Sequence, residues 1–127
     1  MSFSNYLEDA VLNHVFGGSA YSAPSTLHIA LFTVAPGEDG TGGTEVSGGG
    51  YARQTGAFTV SSGTASNSSA IEYSTATANY GTVVAMGIYD SATGGNLLAY
   101  GTLTTSKVVS TGDVLRFNAS AIDITLN

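Results

Sequence analysis

The side chains able to do chemistry in this 127-residue chain are few and widely spaced. His14 and His28 are the two histidines, and there is no cysteine. Neither histidine belongs to a His-Glu-x-x-His or similar ligand spacing. His14 lies near a helix end, where a cation is mildly favoured. His28 lies among apolar neighbours, and both read as structural or exposed residues. Glu38, Asp39 and Glu45 sit in a Gly-rich stretch, and carboxylates with carbonyl oxygens can hold calcium. Their spacing matches neither an EF-hand loop nor the Gly/Asp nonapeptide repeats, so solvated loop charges are expected. The glycines do not read as a phosphate cradle, because neither Gly-Lys-Ser/Thr nor strand–GxGxxG–helix is present. Serines are numerous but form no Gly-x-Ser-x-Gly elbow, and no carboxylate spacing supports glycoside hydrolysis. The expectation is a chain that is not an enzyme, with no catalytic, cofactor-binding or metal residues and no cofactor.

Two residue types are left. The seven tyrosines, with no tryptophan, suit a core or an interface better than a sugar platform. Arg53 is one of only three basic residues, beside Lys107 and Arg116. Such a scarce guanidinium is expected to pair with a carboxylate or with a neighbour's carbonyl oxygens.

Composition bounds the partners. Charged residues make up 9% of the chain, against about 25% in ordinary soluble domains. Ser, Thr and Gly fill much of the remainder, so the surface is mostly hydroxyls and backbone, suited to close packing against protein. The net charge of −6 argues against nucleic acid and anionic membrane, which both attract clustered Lys and Arg. No apolar run is long enough to span a bilayer. The N-terminus carries Glu8 and Asp9 where a signal peptide would be apolar, which points to a protein made and used on the cytoplasmic side, or assembled there into something larger.

The elements that must position these residues follow from periodicity. Residues 5–16 predict a helix, with Asn5 and Glu8 at capping-box spacing. Its apolar face is expected to be Leu7, Val11 and Val15, flanked by Leu12 and Phe16, with Gly17-Gly18 as the stop. A helix this short must dock, on the end of the domain or on a neighbouring subunit. After Pro24 everything reads as β: 27–33, 57–60, 71–74, 82–89, 97–103, 114–117 and 121–126, with 107–110 continuing one of them. Asp90–Asn96 reads as a hairpin loop and 61–69 as loop. The fold class expected is all-β, an antiparallel β-sandwich of jelly-roll or Ig-like kind with one short N-terminal α-helix. One domain is expected over 1–127, with a helical segment at 1–18 and the sandwich at 24–127.

Several ordered segments carry a resemblance. They are Ser-Asn-Tyr-Leu-Glu-x-x-Val-Leu-x-His-Val-Phe-Gly (4–17), Leu-His-Ile-Ala-Leu-Phe-Thr (27–33) and Gly-Gly-Thr-Glu-Val-Ser-Gly-Gly-Gly-Tyr-Ala-Arg-Gln (42–54). Tyr-Gly-Thr-Val (80–83), Gly-Ile-Tyr-Asp (87–90) and Gly-Asp-x-Leu-x-Phe (112–117) follow in order. The chain resembles a family of small tailed-bacteriophage virion proteins, called capsid fibre, head-decoration or tail fibre proteins. The resemblance implies a structural virion component, assembled in the host cytoplasm, that binds the major capsid protein or other virion proteins and self-associates. A trimer is expected by analogy with threefold capsid positions and phage fibres. The competing expectation is a tail-associated or host-glycan-binding β module. Tyr6, Leu7 and Val11 on the helix, with Tyr51 and Arg53 at the base of the Gly-rich loop, are the interface candidates. That loop, 37–50, is expected to become ordered on contact with a neighbour.

Overall fold

The computed structural model describes residues 1–126, and in it the centre of the molecule is a pair of long antiparallel strands. β1 is Ser2–Phe3, α1 Asn5–Val15, β2 Leu27–Val34, β3 Thr44–Glu45, β4 Gln54–Gly56 and β5 Phe58–Ser61. β6 is Thr64–Asn67, β7 Ile71–Glu72, β8 Gly81–Tyr89, β9 Leu97–Val109, β10 Arg116–Phe117 and β11 Asp123–Thr125. A six-stranded sheet runs β1-β9-β8-β2-β3, with β4 also paired to β2. β11-β6-β5 form a three-stranded sheet and β10-β7 a two-stranded one, and every pair is antiparallel. The fold is the all-β antiparallel sandwich that the alternation predicted.

The main core lies between the layers. Ile29, Leu31, Val83, Met86, Ile88 and Leu98 of the large sheet meet Ile71, Tyr73, Leu115 and Ile122 from the other side. β2 is also covered on its second face, where Ala30, Phe32, Ala85, Tyr89 and Leu97 form a smaller cluster. Simple alternation on 27–33 therefore understated its burial, because both faces of β2 are dry.

Two local expectations need correction. Residues 61–69 are not a loop. Ser62 (φ 52°) and Gly63 (φ 76°) make a tight hairpin turn between β5 and β6. β6 then pairs on both edges, with β5 and β11. Its last residue, Asn67, is fully buried. It donates to Ser69 O and Asn118 O, both at 2.9 Å, and accepts from Ile122 N at 2.8 Å. The helix cap is Ser4, not Asn5: its Oγ accepts from Leu7 N at 3.2 Å and donates to Leu97 O. The tie to β9 explains why Ser4 wins this position. β9 runs without a break from Leu97 to Val109, so the 107–110 segment continues the strand that begins at Leu97, as expected.

Of the two register shifts between β8 and β9, the one at Val83/Ala85 shapes the surface. Val83 faces Lys107 but Ala85 faces Thr102, so residues 103–106 bulge opposite Val84 alone. Beyond the two residues of β1, the outer edge of β9 pairs with no strand among the described residues.

Candidate functional site

Two regions concentrate polar chemistry. The first is built on the Gly-rich stretch. Gly48, Gly49 and Gly50 all have positive φ, a run of left-handed backbone open at low cost only to glycine. At Gly49 a Cβ would also sit 2.8 Å from Ala78 O. This turn brings Tyr51 and Arg53 back onto Glu45 of β3, which faces Phe32 on β2.

The Arg53 guanidinium forks onto Glu45, with Nε to Oε2 and Nη2 to Oε1, both at 2.9 Å. Its Nη1 donates to Ser91 O at 2.9 Å and Gly94 O at 2.8 Å in the β8–β9 loop. The same group lies 3.7 Å from the centre of the Tyr89 ring, a cation–π geometry. Tyr51 Oη donates to Glu45 Oε2 at 2.6 Å and accepts from Leu31 N at 3.0 Å. That amide lies on the β2 edge between the stretches paired to β4 and β3, so the tyrosine fills a gap in the ladder. Its ring stacks on Tyr73 at 6.1 Å and meets Tyr80 edge-on at 5.8 Å. Tyr73 Oη in turn donates to Ile29 O at 2.7 Å.

The electrostatics suit a fastener. Side-chain exposure is 7% for Arg53 and 27% for Glu45. Burial disfavours the Glu45 carboxylate, but hydrogen bonds from Arg53 and Tyr51, with the Arg53 charge, hold its pKa below the usual range. Burial and then the Glu45 hydrogen bond push the Tyr51 phenol far above its ordinary value. Four of the five guanidinium N–H groups are committed, and so are both roles of the Tyr51 hydroxyl.

The expected pairing of Arg53 with a carboxylate is therefore met by Glu45, and the carbonyls it takes belong to its own chain. Glu45 is not a solvated loop charge, because the two strands and the glycine turn close over it. Glu38 and Asp39 are exposed as expected. Asp39 Oδ1 accepts from Thr41 N and Oγ at 3.0 and 2.8 Å, and Asn5 N donates to Glu38 O at 2.8 Å. The loop 37–50 thus makes contacts of its own, within 37–41 and to the start of α1. Tyr6, Leu7 and Val11 lie apart from this cluster, on α1. Leu7 and Val11 are half-buried, Leu7 against the main core, while Tyr6 is exposed and meets Tyr21 edge-on at 6.5 Å. His14 Nδ1 accepts from Tyr21 N at 3.1 Å.

The single apolar helix face that was expected divides in two. Leu7, Ala10 and Val11 turn toward the sheet, whereas Leu12, Val15 and Phe16 are 56%, 60% and 81% exposed. Apolar residues at 7, 10, 11, 12, 15 and 16 span too wide an arc to be covered from one side.

The second region is an open groove of about 1090 Å³ along β9. Leu103 and Val108 of β9 and Val114 and Phe117 of the following segment line it, and Lys107 and Arg116 border it. Sequence reading did not find it, because the bulge at 103–106 that shapes it has no apolar signature.

The model of the family described as "Podophage GP4 fiber I protein gp80" matches residues 2–125, from β1 through β11. The chain belongs to this podophage fiber I protein family. No curated protein matches the chain. Membership makes the chain a virion fibre component, and the match takes in α1, the Arg53 fastener and the β9 groove together.

Proposed function

We propose that the chain is a non-enzymatic structural subunit that self-associates, with three copies favoured, and docks on the major capsid protein or another virion protein as a head-associated fibre or decoration. Assembly takes place in the host cytoplasm. The observation that carries this reading is the half-docked helix: a phage fibre subunit leaves Leu12, Val15 and Phe16 in water. Exposed apolar groups rimmed by polar residues mark protein contacts. The low-charge, hydroxyl-rich surface supports the same reading, and the net charge of −6 weighs against nucleic acid and membrane as partners. The host-glycan alternative loses its main support, because Tyr51, Tyr73, Tyr80 and Tyr89 are spent on the core and the fastener. The test is copy number in purified virions by quantitative mass spectrometry. Copies comparable with the major capsid protein are expected for a head role. A number matching the tail's few fibres overturns that placement.

A further inference from the structure

Six of the exposed large apolar side chains fall in two patches. One is the outward stripe of α1, Leu12, Val15 and Phe16, with Glu8 one turn before Leu12 and Asp9 beside it. The other is the β9 groove, where Met1, Val108 and Val114 are exposed. The patches also complement each other in charge. Glu8 and Asp9 form no ion pair among the described residues. Of the three basic residues Arg53 is consumed inside the subunit, and the other two, Lys107 and Arg116, border the groove. Lys107 forms no ion pair among the described residues, and Arg116 makes one exposed pair with Glu72 at 3.4 Å. Asp113 and Asp123 share the groove but are engaged locally, by Ser110 N at 2.9 Å and by the Ser66 hydroxyl.

The groove is not suited to strand addition. The bulge at 103–106 interrupts the β9 edge, and bulges blunt an edge against pairing. Its occupant must therefore bring side chains. An amphipathic helix does so with anchors a turn apart, which is the spacing of Leu12 from Val15 and Phe16.

We infer that α1 of one copy seats Leu12, Val15 and Phe16 in the β9 groove of a second copy, with Glu8 and Asp9 facing Lys107 and Arg116. This rests on the self-association proposed above and names its contact. The two surfaces differ, so the contact is heterologous and closes into a ring where the rotation permits.

Sedimentation equilibrium on the full chain tests it, with melting followed for every variant. Lys107→Glu with Arg116→Glu, and separately Glu8→Lys with Asp9→Lys, should each weaken association about tenfold. The four changes together should restore most of it. Phe16→Ser should weaken association with no change in melting. If Arg116→Glu lowers melting, Lys107→Glu alone serves, since it breaks no ion pair within the subunit. Wild-type association in all these variants overturns the helix-in-groove contact and leaves self-association standing. A four-change variant no better than the double variants also overturns it. A wild-type chain that stays monomeric at every concentration overturns both.

Discussion

Helix α1 and the Gly-rich segment 37–54 hold opposite relations between regularity and anchoring. The helix has a full set of internal hydrogen bonds and a serine cap, yet half of its apolar surface faces water. The segment 37–54 has only short strands at Thr44–Glu45 and Gln54, yet an ion pair, four hydrogen bonds and a cation–π contact meet at Arg53. Regular backbone satisfies itself and needs little from the rest of the molecule. Irregular backbone must be satisfied by side chains, so it is the loop that carries the dense polar network. In a fibre subunit this leaves the helix free to face outward.

The comparison breaks first at Arg53. Arg53→Ala strands the Glu45 carboxylate, the Ser91 and Gly94 carbonyls and the Tyr89 ring, and should cost about 3–5 kcal/mol in urea unfolding. A loss under about 1 kcal/mol would show the network to be an ordinary surface pair. On the helix the two faces should respond unequally. Leu7→Asp puts a charge against the core and should cost about 2–3 kcal/mol, and Val11→Asp somewhat less. Phe16→Asp should stay within about 0.5 kcal/mol. Equal losses would mean that the helix end is packed as tightly as its start. The smallest effect is with pH. Glu45 has its folded pKa depressed, so its stabilisation is complete above the unfolded value of about 4.3. That stabilisation is lost as pH falls through the lower folded value. Glu45→Gln should therefore narrow its stability gap to wild type on acidification from pH 5 to pH 3. A constant gap would show the carboxylate to be unperturbed.

What was legible in the sequence divides along the same line. Alternation in 27–33, 82–89 and 121–126 is enough to place the sandwich, because a strand buried on a face repeats every second residue. Arg53 stood out through scarcity alone. Its partner Glu45 did not, since eight residues and a left-handed glycine turn separate them and nothing in composition says how that turn folds back. β6 was missed because Thr-Ala-Ser-Asn has no apolar alternation, and it is held by pairing on both edges and by the buried Asn67 side chain. The helix was found, but its outward face was not. Periodicity locates apolar residues around a helix and cannot say how much of the arc a small sheet will cover.

The burial of Arg53 has one further consequence, for digestion. Proteases of the trypsin class must seat a free Lys or Arg side chain, and this chain offers three. Lys107 and Arg116 lie in strands, and Arg53 is held by four acceptor contacts beneath the surface. Cutting after Arg53 requires the fastener to open first, so the rate of that cut follows local opening. Nicking at Arg53 thus becomes a timer for the opening of this one network.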